Sequence, residues 1–423
     1  MAIEVVSQTI TLPDGRVLGY AHAGDTNGHP LFLFHGLSSS RYEVNIVHEQ
    51  MLKAGIWFIG VDRPGMGLST FQKDRTILDF VDDILFLAES LKIKRFSVMA
   101  ISAGAAYAYA CVYKIPHKII SCNIISGIAP VLELGDEEMS KESKLTIRIA
   151  QRTPWLMRVI FWFTQGRFSQ DNAKSDRFLE NIMFILDDSD KALLKDETVK
   201  SALLKPFRES FRQGSRGVAY DGILTFAKLW GFTLDDIAFF PINLWHGEKD
   251  RGVPLIMAEK VAAKLKSATL TVFPNEGHLS IVFNRFEDIM SALLVSINKG
   301  KISYRSSYCE VGLLKESHAV LCKWKRFCRS NDYRDPFRYG AELIEKYQPK
   351  IWITDTTNGF ENEEEDTKWL LEEFIPKMIE SSIEKIIFII KKDSLLIDEI
   401  ERQVESLKQF FEVELVEEFK HYI

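Results

Sequence analysis

Ser102 is set up as a nucleophile by the residues around it. A strand-like run, residues 95–101 (RFSVMAI), leads directly into the serine, and a helix-like run rich in small residues, 103–110, follows. A strand that turns sharply into a helix crowds the backbone on both sides of the apex, so the positions two before and two after must be small. Here they are Ala100 and Gly104. The helix N-terminus then faces the serine oxygen, and the Ala103 amide is positioned to meet a developing oxyanion. A hydroxyl attacks poorly at neutral pH unless a neutral histidine takes its proton. Among nine histidines, His278 has the fitting context: Glu276-Gly277 after the strand-like ATLTVFP puts it on a loop at a strand C-terminus, the edge where open parallel sheets build sites. His246 closes a strand of its own in a His-Gly turn, and His35 reads as a structural turn residue. A carboxylate must hold the imidazole tautomer; Asp250 and Glu248, four and two residues past His246, are the candidates.

These groups need a rigid frame, and the first 300 residues supply the pattern of one. Short apolar runs at 31–34, 57–61, 95–101, 119–126, 242–246 and 268–273 alternate with helical stretches, which reads as a parallel sheet covered on both faces. Runs at 4–11 and 16–22, split by Pro13-Asp14-Gly15, read as an antiparallel hairpin on its edge. From about 132 to 238 the alternation breaks into helix-like segments, so a helical cap is expected within the sheet domain.

Residues 1–298 resemble the α/β-hydrolase superfamily, and specifically its soluble, capped members. The resemblance rests on Asp14-Gly15, His35-Gly36, Asp62-Arg63-Pro64-Gly65-Met66-Gly67, Ala-Ile-Ser102-Ala-Gly, Trp245-His246-Gly247 with Asp250 and Val253-Pro254, and Glu276-Gly277-His278, in that order. Ala100 departs from the Gly usual in the family but is still small. The resemblance implies a catalytic triad of Ser102, Asp250 and His278, in preference to Glu248, and an oxyanion hole from the backbone amides of Leu37 and Ala103. Gly36 would permit the close approach this needs. Asp62 to Gly67 is expected to be structural, with Asp62 and Arg63 tying neighbouring loops. A serine at the elbow sets the chain apart from haloalkane dehalogenases and epoxide hydrolases of this fold, which use Asp there. The expected chemistry is hydrolysis of a small, largely apolar ester or related acyl compound, without cofactor or metal.

In the cap, residues 154–163 hold Trp155, Phe161, Trp162 and Phe163, with Arg148, Arg152, Arg158 and Arg167 around them. They would anchor cap to sheet, or else form an apolar lid. Residues 214–232 resemble the last cap helix of some capped hydrolases, and Tyr220 and Trp230 are the candidates to face the pocket. A charged or polyanionic substrate has no support in the composition: 46% hydrophobic, 26% charged, net charge −6. Nucleic-acid binding is likewise excluded. No run of 18 uncharged apolar residues and no signal-type leader occurs, so a cytoplasmic protein without transmembrane segment is expected. Five cysteines without a C-x-x-C read as reduced thiols.

All the net charge lies beyond residue 300, where the polar stretch 298–303 (NKGKIS) reads as a domain boundary. Residues 303–423 show strands at 319–325, 350–354, 385–390 and 412–416, with helices near 338–347, 366–381 and 394–410, a second small α/β unit. It resembles STAS-type domains through the strand around Lys323-Trp324-Lys325 and the turn Asp355-Thr356-Thr357-Asn358-Gly359. Signalling STAS domains carry a phosphorylatable Ser or Thr after Asp in this turn. Here the turn is one residue longer, and the acidic run 361–366 opposes added phosphate at Thr356 or Thr357. Regulation, or a homodimer or protein partner bound through residues 303–423, is the expected role. A different reading keeps the hydrolase fold as a sensor of a small apolar ligand and this domain as its relay.

Overall fold

The computed structural model describes residues 6–136, 139, 141–163, 186–237, 241–265, 268–306, 308–314, 317–391, 394 and 396–417. The chain divides into two compact units, residues 1–237 with 241–295, and residues 296–423 with 238–240.

The first unit is built on an eight-stranded sheet. Its strands are β1 (Ser7–Thr11), β2 (Val17–Gly24), β3 (His29–Phe34), β4 (Ile56–Val61), β5 (Phe96–Ile101), β6 (Ile119–Ile125), β7 (Ile242–Gly247) and β8 (Ala268–Phe273), in spatial order β1-β2-β4-β3-β5-β6-β7-β8. β2 pairs antiparallel with β1 and β4; all other neighbours are parallel. β5 and β6 are almost wholly buried, as expected of strands covered on both faces. Their C-terminal ends point to one edge, so residues following β3, β5, β7 and β8 collect there.

Between β6 and β7 lie the helices Lys141–Arg152, Pro154–Phe161, Asp188–Leu193, Glu197–Ser210 and Arg216–Ala227, with no strand among the described residues of this stretch. Arg167 lies outside the described residues. Buried ion pairs fix these helices to the sheet: Arg41 binds Asp62 at 2.6 Å and Glu209 at 2.8 Å, and Asp221 accepts from Arg63 and Arg75. The loop after β4 is the docking platform. Gly65 has φ +88, and a Cβ on Gly217 would lie 2.1 Å from the Gly65 carbonyl oxygen, so the two backbones touch directly.

The aromatic stretch divides. Phe161 is buried with Met157, Phe207, Phe211 and Val218, and so anchors the inserted helices. Trp155, Trp162 and Phe163 are exposed, at 67%, 49% and 53%.

The second unit has a six-stranded sheet, β9 (Ser303–Arg305), β10 (Cys309–Leu314), β11 (Ala319–Trp324), β12 (Ile351–Asp355), β13 (Lys385–Ile389) and β14 (Glu412–Val416), each next to its neighbour in sequence. β9, β10 and β11 are antiparallel, and β11 to β14 parallel. The crossover helices Asn331–Tyr347, the stretch 364–379 and Ile397–Leu407 pack with Cys322, Trp324, Trp352, Ile386 and Phe388 into an aromatic-rich core. β9 and β10 had no counterpart in the sequence reading. The helix Phe286–Ile302 runs through the polar stretch 298–303 into β9. All five cysteines are free and buried, and no described helix is long and apolar enough to cross a membrane.

Candidate active site

Ser102 follows β5 at φ +52, a left-handed conformation that a non-glycine residue adopts at a cost of about 1–3 kcal/mol. Two contacts enforce the turn. A Cβ on Gly104 would lie 2.0 Å from the Phe34 carbonyl oxygen, so only glycine fits there. Ala100 and Ala103 are fully buried in the crowded junction. The helix Ala105–Lys114 then starts beneath the serine. Gly36 faces the same point, with its Cβ position 3.7 Å from Ser102 Cβ. That is ordinary contact distance. The Leu37 amide donates no hydrogen bond among the described residues, and Ala103 directly follows the serine.

His278 Nδ1 lies 2.7 Å from Asp250 Oδ2. The other Asp250 oxygen accepts the amides of Gly252 and Val253, both at 2.8 Å, which fixes the carboxylate on the loop after β7. Burial pulls the His278 pKa down, but the charge and hydrogen bond of Asp250 outweigh it and leave the group above its ordinary 6.5. Glu248, the rival acid, is exposed. His246 is buried, with Nε2 2.8 Å from the Val253 carbonyl, and burial holds its pKa down. No hydrogen bond joins Ser102 Oγ to His278 in the described structure; such contacts are often long before substrate binds.

Several positioning groups escaped the sequence reading. Asp190, fully buried on the helix Asp188–Leu193, accepts the amides of His278, Leu279 and Ser280 at 3.0, 2.9 and 2.8 Å and so fixes the histidine loop. Gly277 leaves room for it, since a Cβ there would lie 2.6 Å from Asp190 Oδ2. Arg63 donates to the carbonyls of His35 and Gly36, just before the Leu37 amide, and is itself held by Asp221 at 2.9 Å. Asp221 also takes Arg75 and the Tyr107 hydroxyl, and these cations hold its pKa at about 2 despite burial. Glu43 reaches the same loop, with Oε1 3.4 Å from the Gly36 amide and Oε2 buried without a partner; burial pushes its carboxyl up. Only an aspartate at a helix start signals Asp190 in the sequence. Nothing local marks Glu43 or Asp221.

Tyr220 and Trp230 have partners elsewhere. The Tyr220 hydroxyl meets the Arg75 carbonyl at 3.3 Å and its ring stands edge-on to Phe71. Trp230 Nε1 donates to the Thr225 carbonyl and its ring stacks on Tyr109. No contact with Ser102, Asp250 or His278 is among theirs. Leu37 packs on the Phe161 cluster, and its methyl carbons lie 3.8 Å from the Cβ position of Gly222. No group of three or more metal-binding side chains occurs among the described residues.

The fold of the first unit has counterparts in known proteins. Residues 29–284 match the alpha/beta hydrolase fold family, more than half of the chain. The chain belongs to this family. It is 23% identical over 276 residues to the uncharacterized hydrolase YcgS of Bacillus subtilis, covering 64% of this chain and 91% of that one. It is 25% identical over 281 residues to the bifunctional esterase/perhydrolase DCH of Acinetobacter calcoaceticus, covering 64% and 92%. Among solved structures, a carboxylesterase of Nitrososphaera gargenis superposes with TM-score 0.51 at 17% identity, covering 69% of this chain and 99% of that one. The enol-lactonase of Burkholderia xenovorans gives 0.51 at 15%, covering 69% and 100%. These structural likenesses concern the fold of the first unit.

Proposed function

We propose that the chain is a serine hydrolase that cleaves a small, largely apolar carboxylic ester through Ser102, His278 and Asp250. The observation that carries this reading is the 2.7 Å contact of buried Asp250 with His278, on the strand-end edge where Ser102 is held in a strained turn. In the first step His278 Nε2 takes the proton of Ser102 Oγ as the oxygen attacks the ester carbonyl. Asp250 holds the Nδ1 proton and stabilises the imidazolium. The amides of Leu37 and Ala103 receive the oxyanion. His278 then gives its proton to the departing alcohol, leaving an acyl-enzyme, and water repeats the sequence to release the acid. The apolar contact of Leu37 with Phe161 and Gly222 favours an uncharged acyl group. Two of its relatives, named a hydrolase and an esterase/perhydrolase, agree in reaction class.

In this reading the helices between β6 and β7 act as a cap, and the second unit is a STAS-like regulatory or partner-binding module. Its turn is not arranged for phosphorylation. Thr356 Oγ1 donates to the Ile389 carbonyl at 2.9 Å and the Thr357 hydroxyl to Asp355, so both hydroxyls are engaged.

The test is a fluorophosphonate with intact-mass readout. One equivalent should add to the wild type and none to Ser102→Ala, which should also lose hydrolysis of short p-nitrophenyl esters while keeping its fold. An unlabelled wild type would favour the sensor reading, in which the site binds without cleaving.

A further inference from the structure

We propose that the second unit holds a binding site for a small, uncharged, apolar molecule with one hydroxyl or carbonyl oxygen, seated between the sheet and its helices with that oxygen on Thr354. A cavity of about 90 Å³ lies there, lined by Trp352 and Thr354 of β12, Phe337 of the helix Asn331–Tyr347, and Leu370 and Phe374 of the next crossover.

Three features point to a ligand. On β12, Trp352 and Thr354 lie on the same face, towards the helices, and Thr354 is only 7% exposed. The Thr354 side chain lines the cavity, and its hydroxyl makes no hydrogen bond among the described residues, so it is available to a ligand oxygen there. Asn362, half-buried on the same cavity, also has no side-chain partner among them. In the second crossover, the chain at Leu370–Phe374 widens to a π-helical turn between two α-helical pieces. Such widenings are rare and concentrate at functional sites, and both of its end residues line the cavity.

The lining sets the ligand class. No charged side chain is among the described residues that line the cavity, so a carboxylate, phosphate or amine would stand there unpaired. A water needs roughly 10–15 Å³ by the same measure, so the space fits a ring or chain of about six to nine heavy atoms. Aromatic walls suit an alkyl or aryl body, and Thr354 with Asn362 gives its oxygen one donor and one acceptor.

The probe is 1-octanol competing with an aliphatic diazirine alcohol of the same length, photolysed on the full-length protein and mapped by peptide mass spectrometry. Crosslinks are expected in residues 351–356 and 370–378, reduced by 1-octanol. Thr354→Val, nearly isosteric, should weaken the competition roughly 5- to 10-fold, the worth of one hydrogen bond. Leu370→Trp, which fills the space, should abolish labelling in these two segments, and should Leu370→Trp not fold, Thr354→Val alone decides. Ser102→Ala should be labelled there like the wild type, so this outcome is separate from the hydrolase reading. Crosslinks confined to residues 1–295, or labelling indifferent to Thr354→Val, would overturn the proposal.

Discussion

Asp250 and Glu248 sit two positions apart on one loop, yet Asp250 is buried against His278 while Glu248 faces solvent. The sequence pattern read Ser102 and His278 from their own neighbours, because a small-residue elbow and a Glu-Gly-His loop are local signals. The choice between the two acids needed family order; in the structure the Asp250 carboxylate also accepts the Gly252 and Val253 amides. Asp250→Asn should therefore lower kcat by about 10⁴ with the fold retained, and Glu248→Gln should stay near wild type. The pH profile follows from the same contact. Only neutral His278 can accept the serine proton, and Asp250 raises its pKa by favouring the charged form. The kcat/KM of a p-nitrophenyl ester should therefore rise with pH through a midpoint above 6.5; a midpoint below it would show that burial, and not Asp250, governs the base.

At the scale of elements, the strands were readable and the devices that lock elements together were not. β5, β6 and β7 announce themselves as apolar runs, whereas β10 (CEVGLL) carries Glu310 and Gly312 and gives a weak pattern. The helix Asn331–Tyr347 begins earlier than its periodicity suggested, because Pro336 in its second turn reads as a stop. Asp190 is the sharpest case: its partners are three amides some 90 positions away, invisible in any local window. Asp190→Ala should free the 278–280 loop and lower kcat about 10- to 100-fold with little change in KM, since the histidine would lose its register with the serine. Asp196 is a useful control. It caps the helix Glu197–Ser210 by accepting the Thr198 amide, far in role from the histidine loop. Asp196→Ala should cost about 0.5–2 kcal/mol of stability and leave kcat unchanged. If the two variants behaved alike in kinetics, Asp190 would be a structural residue only.

For the whole molecule, every proposed catalytic group lies in the first unit, and the second has its own core. A fragment of residues 1–302, which keeps the helix Phe286–Ile302 whole, should unfold cooperatively and keep fluorophosphonate labelling at Ser102. An aggregated or unlabelled fragment would mean that the second unit completes the first. The two sheets also differ in how far apart in sequence their partners lie. In the second, every strand pairs with its successor, but in the first, β6 must find β7 across residues 126–241. Closing so long a segment is entropically costly before any contact rewards it, and chains dominated by distant pairings fold slowly. On dilution from denaturant, amides of β11 to β13 should gain exchange protection well before those of β6 and β7. Asp250 arrives with β7, so esterase activity should return with the late phase, and a chain emerging from the ribosome would finish its last-made unit while its first-made one is still assembling.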